Sequence, residues 1–489
     1  MSRIEAARYS VLGQRLKASR ANIQIANAPV HENRAVSHVR ESLRRGEASL
    51  LLIHVSEKTS FVLALNKNDT ALVRLNMDPK ILSLAVDSLV RPFHRMKRKI
   101  DPDVPFRADL AFRLYQTLIQ PVESVLKKSK TVIVLPDDAL LQLPFEMLLD
   151  RKPAKAAYTP QDSPDYADAF LLHRYTFEYS PMKRAGGGRH RLFPRDPRMC
   201  VFANPYRSLI SGEASQPLLR SPAFGSFEPL PFAELEAERI RHVHADVHVF
   251  GRELATEKRF VEESRKADIF HFATHAFFDS TFQAFSGLAL AETSDPSDDG
   301  LLMGYEISDM NLDCDLVTLS ACETGCGKRM AGEGILGLPR IFLGAGARTV
   351  LMTLWKVDDR FTSMIMPVFY DGYLNRGMTK AEALAEAKRS FFINRGLKPS
   401  GLRSCDHDLR PAATNYTPDY STNYQDRLTS EGTEYRHPFY WASFMLFGEQ
   451  GTGAERGELS AIWLYGILIV GGLGFVVLMR LIIRKRFQK

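Results

Sequence analysis

IFHFATHAF (Ile269–Phe277) and LVTLSACETG (Leu316–Gly325) share one pattern, an apolar run that ends in small and polar side chains. TVIVLP (Thr131–Pro136), MCVFANP (Met199–Pro205), VHVFG (Val247–Gly251) and TVLMTLW (Thr349–Trp355) repeat the apolar part. Short runs without polar alternation are strands covered on both faces, and helical stretches lie between them. The expected fold is therefore α/β, a mostly parallel sheet flanked by helices. Upstream, LLLIHVSEKTSFVLAL (Leu50–Leu65) and TALVRL (Thr70–Leu75) read as two strands around a turn at Asn66–Asp69. Helical patterns cover Pro79–Val90, Arg107–Lys127 and Met378–Phe392, while Met182–Arg195, Ala291–Gly300 and Ser400–His437 read as loops. HPFYWASFMLFGE (His437–Glu449) reads as the last core strand, with Trp441 and Phe444 as packing residues. No internal repeat is visible.

The length of 489 residues allows two to four domains with ample core. With 45% hydrophobic and 25% charged residues the chain is neither disordered nor a polytopic membrane protein. The net charge of +7 is concentrated at one end: Arg480, Arg484, Lys485, Arg486 and Lys489 leave a body near neutrality. A nucleic-acid partner is not expected, because that needs basic residues clustered on a folded face. Five unevenly spaced cysteines (Cys200, Cys314, Cys322, Cys326, Cys405) fit reduced thiols, and the N-terminus lacks the apolar core of a signal peptide.

Ala461–Met479 is a run without charge. At 1.5 Å per residue it spans about 28 Å, one hydrocarbon core. Trp463 and Tyr465 sit near its first turn as interfacial anchors, and a basic cluster follows. The sequence thus predicts a single transmembrane helix over 461–483, in contact with the lipid bilayer, with a basic tail at 484–489. A long body synthesised before its only apolar segment stays where it was made, so the expected location is the membrane with the body of the chain in the cytoplasm.

Two strand ends carry the candidate chemistry. His275 stands at the end of one apolar run and Cys322 at the end of another, where α/β sheets present active-site groups. An imidazole on a neighbouring strand end can take a thiol's proton or hold the thiolate as an ion pair. The bland alternative is a buried Cys acting as a small hydrophobe beside a hydrogen-bonded His. His271, among Ile269, Phe270 and Phe272, reads as core. A zinc set of His271, His275, Cys322 and Cys326 lacks any usual ligand spacing. Neither GCGKRM nor GEGILGL has the context of a phosphate loop, so no cofactor or metal is expected.

HFATHAFFD (His271–Asp279) and LSACETG (Leu319–Gly325), followed by GEGILGLPRIFLGAGARTVLMTLWKVDD (Gly332–Asp359) and HPFYWASFMLFGE, resemble the CHAT family of caspase-like cysteine peptidases, relatives of separase. LPDDALLQLPFEMLL (Leu135–Leu149) and ATEKRF (Ala255–Phe260) carry the resemblance upstream, so that it runs from Ser49 to Glu449. It implies a caspase-like core at 131–449 and a smaller α+β N-terminal part at 49–130; outside it, residues 1–48 read as a polar helical segment and 450–460 as a linker. Cys322 then resembles the nucleophile and His275 the general base and acid, with the backbone N–H groups of Ala276 and Cys322 binding the oxyanion. Family members often have Gly where Ala276 stands, so activity should survive unless that residue needs positive φ. Asp359 resembles the acid that lines the pocket for the residue before the scissile bond, with Asp358 beside it. Ser320 is small where metacaspases carry an acid. The competing reading is that Asp358 and Asp359 only cap the following helix.

The function these residues imply is a membrane-anchored cysteine endopeptidase cleaving a protein substrate in signalling or defence. An activating partner protein and self-cleavage in the basic loop Arg184–Arg195 are further expectations. The alternative is a catalytically silent, membrane-tethered adaptor on the same fold.

Overall fold

A computed structural model describes residues 39–40, 43, 47–57, 59–95, 105–158, 167–180, 194, 196–203, 220–221, 225–226, 230–277, 279, 282–295, 298–320, 337–392 and 434–448. In chain order these form β1 (Ala48–His54), β2 (Ser60–Leu65), β3 (Thr70–Leu75), α1 (Pro79–Arg95), α2 (Ala108–Leu118), β4 (Thr131–Leu135), β5 (Thr176–Tyr179) and β6 (Met199–Ala203). There follow β7 (Arg220–Ser221), β8 (Gly225–Ser226), α3 (Pro231–Arg241), β9 (Val247–Gly251), α4 (Glu257–Glu263), β10 (Ile269–Ala273), β11 (Ala276–Phe277), β12 (Gly287–Ala289) and β13 (Leu301–Met303). The rest are α5 (Gly304–Asp309), β14 (Leu316–Leu319), α6 (Gly337–Ala345), β15 (Thr349–Thr353), α7 (Asp359–Tyr370), α8 (Lys380–Ser390) and β16 (Phe444–Gly448), with short single-turn helices between.

Eleven strands form one sheet in the order β3-β2-β1-β4-β5-β16-β15-β14-β10-β6-β9. The run β15-β14-β10-β6-β9 is parallel throughout, as is the run β1-β4-β5-β16, and the two meet at the antiparallel pair β15–β16. The mixed α/β architecture with a large, mostly parallel sheet follows from the apolar runs. β6, β10, β14 and β15 are buried at every position, as strands covered on both faces must be. Aromatic side chains fill the interior: Trp355 and Trp441 are fully buried, and Phe202, Phe260, Phe270 and Phe272 pack ring against ring beneath β6 and β10. Each such burial contributes about 1.5–3 kcal/mol.

Three local readings are corrected. Leu50–Leu65 is not one strand: it bends at residues 55–59, where Ser56 Oγ donates to Thr59 O at 2.8 Å and Ser60 Oγ accepts from Ser56 N at 3.1 Å, and returns as β2 antiparallel to β1. The helical reading of Arg107–Lys127 breaks after Leu118, since Pro121 opens a separate 3-10 turn. His437–Glu449 begins as a helical turn, Pro438–Trp441, and becomes strand only from Phe444. At the junction of α6 and β15, Gly346 adopts φ +121°, and a Cβ there would lie 1.9 Å from Leu312 O. Only glycine tolerates that approach.

The expected membrane location is also corrected. No helix among the described residues is long and apolar enough to cross a membrane, and the stretch 461–483 on which the anchor rested lies outside those residues. Neither the anchor nor the bilayer contact is carried further.

Candidate functional site

Parallel strands share one carboxyl edge, and His275, Ser320, Asp358 and Asp359 follow strand ends along it. His271 on β10 stands opposite Thr318 on β14, and Phe272 opposite Leu319. The loop after β15 leads to Asp358 and Asp359 at the start of α7. Cys322, including its backbone N–H, lies outside the described residues, as do Cys326 and Cys405.

His275 is buried, two residues past the end of β10. It is held by a small antiparallel sheet, β11-β12-β13, that the sequence did not reveal because its strands are only two or three residues long. The His275 carbonyl accepts from Ala289 N at 2.8 Å, and the Thr274 hydroxyl donates to Ala289 O. Gly287 permits this closeness, since a Cβ there would meet Leu302 O at 2.4 Å and the Phe277 ring at 2.6 Å. Antiparallel pairs alternate between bonded and non-bonded. With His275 bonded to Ala289, the next pair, Ala276 opposite Leu288, is non-bonded, and the Ala276 N–H turns away from β12. The only non-glycine residues with positive φ among the described residues are Glu47 and Arg252, so the methyl of Ala276 causes no backbone strain.

Under the strand ends runs a buried polar chain. Ser320 Oγ donates to Glu236 Oε1 at 2.8 Å. The same oxygen lies 3.0 Å from His271 Nε2, with both side chains almost wholly buried, 2% and 0% exposed. That contact is a close approach rather than an aligned hydrogen bond, since Nε2 has no hydrogen-bond partner of acceptable geometry among the described residues. On its other side, His271 Nδ1 lies 3.1 Å from Tyr370 OH, which is 2.8 Å from Thr318 Oγ1. Burial first, and the Glu236 charge after the opposing Thr318 hydrogen bond, keep the Tyr370 hydroxyl far above its ordinary value, so it stays protonated. His271 is core, as its apolar neighbours implied, but it is a wired core residue.

The two acids of WKVDD separate into two roles. Asp358 is the N-cap of α7, its Oδ1 accepting from Arg360 N at 2.8 Å; burial pushes its carboxyl up. The capping reading therefore describes Asp358. Asp359, the first helical residue, carries a buried Oδ2 with no hydrogen-bond partner among the described residues. A buried carboxylate oxygen left open is a receptor for a cationic group. Sequence reasoning missed Glu236. The signal was available: Ala233, Glu236, Ala237 and Ile240 occupy one helical stripe, all of them buried, and a glutamate stands among apolar residues.

The model of the CHAT domain matches residues 108–449. The chain belongs to the CHAT domain family. The N-terminal strands β1–β3 precede that match, yet β1 pairs with β4 inside it, so the CHAT region and its N-terminal extension share one sheet. Among curated proteins, the mouse (Mus musculus) tetratricopeptide repeat protein 28 is 23% identical over 319 residues, 56% of this chain and 12% of its own length. The human (Homo sapiens) protein of that name is 28% identical over 193 residues, 33% of this chain and 8% of its own. Among solved structures, two separase–securin complexes of Saccharomyces cerevisiae are similar, with TM-scores of 0.41 and 0.40, identities of 11% and 12%, and coverage of 85% of this chain and 31% of theirs. The chain thus spans 12% and 8% of the length of these curated relatives.

Proposed function

We propose that this chain is a cysteine endopeptidase that cleaves protein substrates through Cys322 and His275. The observation that supports it best is the register of β10 on β14. Phe272 stands opposite Leu319 on neighbouring parallel strands, and in the sequence His275 follows the first strand and Cys322 the second, in a chain of the CHAT family. In this reading His275 takes the proton of the Cys322 thiol as the sulfur attacks the scissile carbonyl, then gives that proton to the leaving amine. Water, deprotonated by His275, next breaks the thioester and restores the thiol. The N–H groups of Ala276 and Cys322 hold the oxyanion. The open Oδ2 of Asp359 supports a preference for Arg or Lys before the scissile bond, with Ser320 and Asp358 beside that pocket. A protein partner that governs activity belongs to the same proposal, as does self-cleavage in Arg184–Arg195, whose loop lies mostly outside the described residues.

The test is to incubate the full chain, wild type beside Cys322→Ala, with lysate of its source and to map new protein N-termini by mass spectrometry. Termini that appear only with wild type and follow Arg or Lys are expected. Identical termini from both proteins would leave the adaptor reading, in which the fold binds without cutting.

A further inference from the structure

We infer that the turn between β11 and β12 and the first turn of α5 form a docking surface for an arginine-rich segment of a partner protein. Phe282, Phe285 and Tyr305 are 62%, 45% and 45% exposed, and they are the only exposed Phe, Tyr or Trp among the described residues. They stand in one row: Phe285 meets Phe282 edge to face with ring centres 6.0 Å apart, and meets Tyr305 edge to face at 6.2 Å. Single apolar side chains at a surface are ordinary, but a contiguous aromatic row in water marks a contact surface. The row is held in place. Phe282 N donates to Asp279 Oδ1 at 2.8 Å, Asp279 N donates to Ser286 Oγ at 3.1 Å, and Gly304 N donates to Ser286 O at 2.7 Å. A Cβ on Gly304 would lie 2.7 Å from Ile341 Cδ1 and 3.0 Å from Ser286 O, so glycine is what lets α5 close on the turn. Rings fixed beforehand lose little freedom on contact with a partner.

The charge around the row selects the partner. Between Lys266 and Lys328 the sequence contains no Lys or Arg. Asp279 lies in the connection from β11 to β12, Asp299 just before β13, and Glu306 and Asp309 on α5; Asp299 and Asp309 are exposed. Burial first, then the Glu306, Asp299 and Glu257 carboxylates, raise the Tyr305 hydroxyl above its ordinary value, so these charges are within electrostatic reach of the ring. Such a surface repels phosphates and anionic lipid and attracts cations. Among cations a guanidinium fits both parts at once. Its plane stacks on an aromatic face while its donors pair with a carboxylate, whereas an ammonium is a strongly hydrated point charge. The row sits on the connection between the two strands that hold His275, which brings a bound segment close to the candidate site. The inference stands on the fold alone, and it applies equally to a substrate of a peptidase and to the partner of an adaptor.

The experiment measures the fluorescence anisotropy of fluorescein-labelled six-arginine and six-lysine peptides against the full chain carrying Cys322→Ala, which keeps the probes intact. Added to that background are Phe282→Ser together with Phe285→Ser, Asp299→Asn, Asp359→Asn, and Leu84→Ser as the control, an exposed apolar residue on α1. The inference expects the arginine peptide to bind at least about fivefold tighter than the lysine peptide, and the double phenylalanine variant to weaken the arginine peptide about tenfold, the scale of two exposed cation–π contacts. Asp299→Asn should weaken both peptides about threefold, as an exposed ion pair allows, and Leu84→Ser should change neither. Thermal midpoints should stay near that of the parent throughout, because the substituted side chains are exposed. Equal binding of the two peptides, unaffected by the phenylalanine changes, would reduce the surface to an acidic field and overturn the inference. Binding lost in Asp359→Asn and kept in the phenylalanine variant would also overturn it, since the probe then occupies the pocket of Asp359. A dimer in sedimentation that the phenylalanine changes dissolve would give the row to a second copy and overturn it likewise. No saturable binding of the arginine peptide would overturn it outright.

Discussion

Two of the buried polar clusters among the described residues, one from each parallel half of the sheet, are built differently. Where β5, β16 and α8 meet, the Lys388 ammonium donates to Glu146 and to Phe444 O at 2.6 Å. Glu146 also accepts from the Tyr179 hydroxyl, whose oxygen in turn accepts from Phe145 N at 2.7 Å. Burial pushes the Lys388 ammonium down from its ordinary value and the Glu146 charge opposes that shift. In the other half, along the carboxyl edge of β10, β14 and β15, the polar groups are close but incompletely paired. His271 Nε2 and Asp359 Oδ2 have no hydrogen-bond partner among the described residues. Saturated pairing makes architecture, since every donor and acceptor is spent on the fold. Open valence beside strand ends is what a reaction site requires.

The largest expected effect breaks the comparison on the open side. His275→Ala and Cys322→Ala should each lower peptide cleavage by at least about 10,000-fold, with thermal midpoints near wild type, as read by fluorogenic substrate turnover beside calorimetry. On the saturated side the pattern inverts. Lys388→Met strands the Glu146 carboxylate and should cost about 3–5 kcal/mol of stability, measured by urea unfolding, while the cleavage rate per folded molecule stays constant. A stable Lys388→Met with impaired cleavage would erase the distinction between the two clusters.

A smaller effect sharpens it. Asp359→Asn removes the charge from the open oxygen and should cut kcat/KM for arginyl substrates about 100-fold, with little change for a substrate carrying an uncharged residue there. Equal losses for both substrates would reassign Asp359 to α7 stability. The smallest effect concerns Glu257 on α4, whose Oε1 accepts from Gly300 N at 2.7 Å. Burial, followed by repulsion from neighbouring acids after the opposing Gly300 bond, raises its carboxyl to about 7. The folded state thus holds a proton that the unfolded chain releases near the ordinary value of 4.5. The Glu257 contribution to stability is present in full below that value and declines as pH rises toward 7. Thermal midpoints recorded across that window should fall less steeply in Glu257→Gln than in wild type.

The strands were legible because β6, β10, β14 and β15 are apolar at nearly every position, a pattern that only double coverage explains. The sheet β11-β12-β13 was not, because two or three residues carry no period, although it is what holds His275. His275 was read from its place at a strand end, and Asp358 and Asp359 from the resemblance of WKVDD to the CHAT family. Glu236 was missed because ELEAER has the composition of a solvated helix face, which masks the stripe of Ala233, Glu236, Ala237 and Ile240 that the fold buries. The membrane expectation came from residues 461–483, which lie outside the described residues, and no described helix is long and apolar enough to cross a membrane.

The most direct test of the central claim is the rate at which iodoacetamide alkylates each cysteine between pH 5 and 9 in the full chain, resolved by peptide mass. Burial pushes the Cys200 thiol up to about 12, and the Cys314 thiol upward as well, so both should react slowly throughout. The account predicts that Cys322 reacts fast and reaches its plateau below pH 7 in wild type, and that His275→Ala moves this profile upward by at least about one pH unit. A Cys322 profile that follows Cys200, or that ignores the loss of His275, would contradict it.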